Sequence, residues 1–96
     1  DANEVVRERA ARGLEDCEDR RSIRPLISAL TDDPVSKVRT AAAMSLRKFA
    51  ELAQNGKLLA KDRERMQAAL LSVIDRTGED AEVRRRSIEA VAFLDG

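Results

Sequence analysis

A chain of 96 residues, 43% of them hydrophobic, can bury one modest core, near the small end of what folds without staples. Charged residues make up 38%, well above the roughly 25% of an average globular protein, yet eighteen basic and eighteen acidic side chains cancel, which disfavours a nucleic-acid binder with its usual basic excess. With no histidine and a single cysteine, Cys17, the commonest general base and metal ligand is missing and no intrachain disulfide can form.

The elements follow from hydrophobic spacing. Val6, Ala10, Leu14 and Cys17 recur at helical steps and predict a first helix over 3–16 with that stripe inside. Ile23, Leu26, Ile27 and Leu30 predict a second over 20–31, with Ser22 or Asp19 at its start. Pro25 is harmless only in the first turn, where no intrahelical N–H is lost. Val38, Ala42, Leu46, Phe49 and Ala53 form the longest stripe and predict a helix over 35–54. Asp32, Asp33 and Pro34 are its start signal, and Asn55-Gly56 its stop, because both tolerate a left-handed cap. The link "NGKLLAKD", 55–62, is longer and carries Leu58 and Leu59, either an exposed anchor or a pair tucked under the core. Met66, Leu70, Val73, Ile74 and Thr77 predict a fourth helix over 60–77 with Asp62 as its N-cap. Gly78 breaks that pattern, and Val83, Ser87, Ala90, Val91 and Leu94 predict a fifth over 80–95. No segment alternates with period two, so the fold class is all-α. Short connections favour antiparallel neighbours.

Three of these helices open alike. Val6-Arg7 leads to Ala10, Ala11 and Leu14; Val38-Arg39 to Ala42, Ala43 and Leu46; Val83-Arg84 to Ser87, Ile88 and Val91. Arg7 and Arg39 are 32 residues apart, Arg39 and Arg84 45. Each pair follows a polar or acidic turn: "DANE", "TDDPVSK", "TGEDAE". The unit is a helix, an acidic turn, and a helix with Val-Arg and small residues. It resembles the HEAT-repeat family, in particular the short HEAT-like repeats of phycobilisome lyases, and the clearest unit is "LISALTDDPVSKVRTAAAMSL". The resemblance implies an α-solenoid of about five helices in stacked antiparallel hairpins, with 1–96 as one domain: a partial repeat over 1–17 and repeats over 20–54 and 60–96. The longer second spacing implies an extension around 51–62.

The resemblance further implies that Arg7, Arg39 and Arg84 form a polar ladder between repeats. Asp32 or Asp33, and Glu79 or Asp80, are the candidate acceptors. It places the second helix of each repeat along a concave surface, with Glu8, Arg12 and Glu15, then Thr40, Met44 and Arg47, then Arg85, Glu89 and Ala92 facing outward. Mixed charge around one adaptable Met suits a protein or peptide partner better than a phosphate backbone.

Other clusters read more simply. Arg84, Arg85 and Arg86 splay about 100° apart on a helix, so they make a solvated face rather than a phosphate patch. Arg20, Arg21 and Arg24 crowd a helix start, where a surface role fits. Cys17 has no histidine or second cysteine near it and reads as structural. Glu15-Asp16, Asp32-Asp33 and Glu79-Asp80 sit at turns and helix ends, where capping explains them without a metal. The expected function is therefore a non-catalytic protein-protein interaction scaffold with no cofactor. A nucleic-acid-binding HEAT-like module and a bilin-lyase-type component are the alternatives. No membrane segment or signal core is present, which favours a cytoplasmic setting. A first residue other than Met points to an excised or processed piece of a longer solenoid, with weak self-association through its open ends.

Overall fold

A computed structural model describes residues 3–13 and 19–94 of the chain. It holds five α-helices: α1 (Glu4–Gly13), α2 (Ile23–Asp32), α3 (Ser36–Gln54), α4 (Ala60–Ile74) and α5 (Ala81–Ala92), with one 3-10 turn, Arg20–Ser22, leading into α2. No strand occurs among the described residues. The 3-10 turn reconciles Pro25 with its helix. It places Pro25 at the third position of α2, where its lost N–H has no intrahelical partner to find.

The helices form two layers. α2 lies beside α4 in one; α1, α3 and α5 lie in order in the other. α2 pairs with α3 and α4 with α5 as hairpins, and α3 also touches α1 and α4. The result is an all-α solenoid of stacked antiparallel hairpins. Its core is aliphatic around one aromatic: Ile23, Leu26, Leu30, Leu46, Phe49, Met66, Leu70 and Val73 are almost wholly buried. Ala41, Ala42 and Ala43 are buried side by side on α3. Small side chains there let neighbouring helices approach α3 closely, where larger ones would hold them off.

Cap chemistry sets the helix ends. After α3, Lys57 N–H donates to Leu52 O at 2.9 Å and Gly56 N–H to Ala53 O at 3.0 Å. This is a Schellman closure, and Gly56 carries its positive φ of 71°. Asp80 caps α5, accepting from the N–H groups of Glu82 and Val83. Asp19 caps the 3-10 turn by accepting from Arg21 N–H at 3.0 Å, and the Arg21 side chain and this N–H hold its carboxyl down at about 2.

Four sequence expectations need correction. Val6 and Ala10 are exposed, and Ala11 is the buried residue of α1; Leu14 and Cys17 lie outside the described residues. α1 is apolar on the expected flank, but α3 approaches it from the next flank round. Asp62 does not cap α4: Leu59 holds that place, and Asp62 sits one turn in, buried. There it accepts from Arg20 Nε at 3.1 Å, a better partner than an exposed cap. Thr77 lies in the turn after α4 rather than on its stripe. The extra length in the last unit is not confined to 51–62, because the α4–α5 link runs over residues 75–80 whereas the α2–α3 link covers 33–35. Leu58 and Leu59 divide the two readings offered for them. Leu58 packs on the core and Leu59 is exposed.

Candidate interaction face and the arginine ladder

In the second and third Val-Arg pairs Val38 and Val83 are buried while Val6 is exposed, and in all three the arginine, about 100° round the helix, reaches a turn. Arg7 grips Asp33 with two bonds, Nε to Oδ2 at 2.7 Å and Nη2 to Oδ1 at 3.2 Å. Asp33 also accepts from Val35 N–H at 2.9 Å, so one carboxylate closes its own turn and holds the neighbouring helix. Arg7 draws the Asp33 carboxyl below its usual range, and burial opposes this only in part.

Arg39 bridges two turns. Nη1 donates to Asp33 O at 2.8 Å, while Nη2 and Nε donate to Glu79 Oε1 and Oε2 at 2.7 and 3.1 Å. The Glu79 side chain is fully buried. Burial pushes its carboxyl up, but the hydrogen bonds from Arg39 and Asp80 N–H, with the charges of Arg39 and Arg76, carry it below its usual range. Arg76 completes this joint. It pairs with Glu79 at 3.3 Å and donates from Nη2 to Thr31 O at 2.9 Å, back across to the α2–α3 turn. Arg84 is held differently: Nε donates to Ile74 O at 3.1 Å and Nη2 to Arg76 O at 2.8 Å, both within its own turn. Among the four candidate acceptors, Asp33 and Glu79 receive arginine, Asp80 serves as a helix cap, and Asp32 stays exposed.

The outer face of α1, α3 and α5 carries the other residues named from sequence. Arg12, Arg47 and Arg85 are exposed; Glu8, Thr40, Met44 and Glu89 are half-buried; Glu15 lies outside the described residues; Ala92 is exposed. Most of the charge is paired along each helix. Arg12 meets Glu8 at 2.6 Å, Arg47 meets Glu51 at 3.3 Å, and Arg85 meets Glu82 at 2.8 Å. Arg47 also lies over the Phe93 ring at 5.7 Å, which ties α3 to the end of α5. Near the helix starts the face dips into an open groove lined by Glu8, Arg12, Ser36, Lys37, Thr40, Asp80 and Glu82.

The family model for HEAT repeats matches residues 1–92. The chain belongs to the HEAT-repeat family. Among curated proteins and among solved structures, no significant match was found. HEAT repeats commonly mediate protein interactions, and the family is generally of a non-catalytic scaffold type.

Within this HEAT-repeat chain the remaining charged clusters divide by location. Arg86 pairs with Glu82 at 2.9 Å and Glu89 at 3.3 Å, so Arg85 and Arg86 are taken up by their own helix. Arg20, Arg21, Arg24 and Arg65 surround Asp62 on the α2–α4 side. No group of three or more acidic, cysteine or histidine side chains that could hold a metal occurs among the described residues. No helix there is long and apolar enough to cross a membrane.

Three contacts have no local signal in the sequence. Arg76 reaches Thr31 across 45 residues, Arg63 donates to Leu94 O, and Ser45 donates to Ala11 O. Each donor looks like an ordinary surface or small residue until the layers bring a distant carbonyl to it.

Proposed function

We propose that this chain is a non-catalytic protein-protein interaction scaffold. It consists of a partial repeat over 1–17 and repeats over 20–54 and 60–96, and it holds a protein or peptide against the outer face of α1, α3 and α5. Glu8, Arg12, Thr40, Met44, Arg47, Arg85 and Glu89 form the contact strip. Arg7 and Arg39 tie neighbouring units together, while Arg84, expected in the same ladder, closes its own turn. The observation that supports this most is the groove shared by Glu8, Arg12 and Thr40 with Lys37, Asp80 and Glu82. It spans three helices, so only the stacked fold creates it. Three carboxylates and two cations line it, a mixture that suits peptide backbone and side chains and repels a phosphate strand. The open ends of the solenoid add weak self-association.

The test is a pull-down with the native chain and with Arg12→Glu, Arg47→Glu and Arg85→Glu combined. Loss of the captured protein, with helicity unchanged by circular dichroism, is expected. Undiminished capture removes the strip from the interface. A parallel DNA titration at increasing salt is expected to show no specific binding. Affinity that falls steeply with salt would move the function to nucleic acid.

A further inference from the structure

Arginines gather on the α2–α4 side with too few carboxylates to match them. Arg20 and Arg21 belong to the 3-10 turn, Arg24 is the second residue of α2, and Arg65 lies in the second turn of α4. All four line one recess, together with Asp62. Asp62 is buried, with 6% of its side chain exposed against 60% for Arg20 and 42% for Arg65, so it forms the floor and the guanidinium groups the mouth. Arg20 gives it Nε at 3.1 Å. Arg65 Nη1 stands 3.8 Å away, beyond hydrogen-bond length. Arg21 is taken by Asp19 at 2.7 Å. Arg24 makes no side-chain hydrogen bond or ion pair among the described residues. Its position is also a costly one for a cation, in a helix first turn that holds no acidic residue.

A guanidinium carries five N–H donors in a planar fork. Most of those on Arg20, Arg24 and Arg65 therefore meet no described protein acceptor. The outer face differs: there Arg12, Arg47 and Arg85 each meet a carboxylate of their own helix. The recess measures about 320 Å³, at the small end of ligand sites, which run roughly 300–1,000 Å³. It takes one charged group on its side chain rather than a length of strand. A second recess adjoins it and shares Arg20; Leu52, Leu58 and Leu59 line that one, with Lys57. One cationic recess beside one apolar recess fits neighbouring side chains of a peptide. A nucleic-acid strand would need a row of cationic contacts instead.

We propose that the recess of Arg20, Arg24 and Arg65 binds a phosphorylated serine or threonine of a partner protein, with a large apolar residue of the same segment against Leu58 and Leu59. Arginine forks match phosphate oxygens two at a time, and a dianion answers the surplus of positive charge that Asp62 leaves. Asp62 braces Arg20 from below. The site lies on the layer of α2 and α4, apart from the outer face of α1, α3 and α5.

The probes are synthetic hexapeptides with one phosphoserine and a leucine one to three residues to either side. In an NMR titration of the whole chain, the best of them should give saturable shifts at Arg20, Arg24, Arg65 and Leu59. Its unphosphorylated form should bind at least about tenfold more weakly, and leucine replaced by glycine should weaken it and remove the Leu59 shift. Arg24→Glu with Arg65→Glu reverses charge at two exposed positions, so helicity is retained while affinity falls about tenfold or more. Arg24→Gln with Arg65→Gln should act in the same direction by a smaller factor. The combined Arg12→Glu, Arg47→Glu and Arg85→Glu chain should bind as the native chain does, which keeps this test independent of the scaffold reading. No saturation at millimolar peptide, equal affinity for the serine form, or unchanged affinity in both double variants would overturn the proposal. So would inorganic phosphate, a thymidine hexanucleotide or phosphatidic acid vesicles binding as tightly as the best peptide, because the phosphate would then need no peptide to carry it.

Discussion

Arg39 and Arg84 occupy the same place in their helices, yet they are held by different chemistry. Arg39 stands between two turns and spends its guanidinium on a buried carboxylate of the next turn and a carbonyl of its own. Arg84 finds only carbonyls of its own turn. The apolar side repeats the contrast. Ala43 is wholly buried on the central helix α3, whereas Ile88, its counterpart on α5, is 49% exposed. In a stacked fold a residue's energetic weight is thus set less by its type than by whether another helix follows.

Arg39→Ala should have the largest effect. It strips the principal counter-ion from a Glu79 side chain that has no solvent access, leaving only Arg76 at 3.3 Å. Breaking a buried pair on one side costs about 3–5 kcal/mol. Arg84→Ala removes two bonds to carbonyls and should cost about 1–2 kcal/mol. Arg47→Ala, at an exposed pair, should cost no more than about 1 kcal/mol. Urea denaturation of the three variants orders them. Equal costs for Arg39 and Arg84 would mean that the next turn adds nothing.

Acid reaches the same contrast. Asp33 and Glu79 have folded pKa values below their ordinary ones. A lowered carboxyl contributes stability that is complete above its unfolded pKa, about 4, and is lost as pH falls through the folded value. The native chain and Arg84→Ala should therefore lose stability alike below about pH 4, because the Arg84 acceptors do not titrate. Arg39→Ala should show a shallower decline, having already lost the Glu79 share. Denaturation midpoints across this range are the measurement, and parallel curves for all three would remove Glu79 from the acid response.

Alanine size gives a third test. Ala42→Leu overfills a contact with no free surface and should cost about 1–3 kcal/mol. Ala10→Leu, at the equivalent but exposed place on α1, should change stability by no more than about 0.5 kcal/mol. If Ala10→Leu proves as costly, that flank of α1 is packed rather than exposed.

Much of the fold was legible from residue spacing. The five helices, the Asn55-Gly56 stop and the Val-Arg register are all local, set by period and cap chemistry. What escaped depends on neighbours. The stripe of Val6 and Ala10 looks like a core face, and nothing within α1 tells that α3 meets Ala11 instead. Asp62 looks like a cap until α2 brings Arg20 to it. The ladder arginines stand out by repetition, but Arg76 does not, because its carbonyl acceptor at Thr31 carries no side-chain signature. The groove under Glu8 and Thr40 exists only once three helices lie side by side.

The smallest effect separates two serines on the same layer. Ser45 of α3 donates to Ala11 O of α1, satisfying both a buried hydroxyl and a carbonyl near the end of the described part of α1. Ser87 of α5 is equally buried, but its Oγ has no partner among the described residues. Removing a satisfied hydroxyl forfeits a net hydrogen bond, so Ser45→Ala should cost about 1 kcal/mol. Removing an unsatisfied one relieves desolvation, and alanine is the better helix former, so Ser87→Ala should gain about 0.5 kcal/mol. Thermal unfolding of the two variants resolves opposite signs even at this size. A loss at Ser87 would mean that its hydroxyl finds a partner in solution, and the two serines would then differ in the identity of their acceptors rather than in having one.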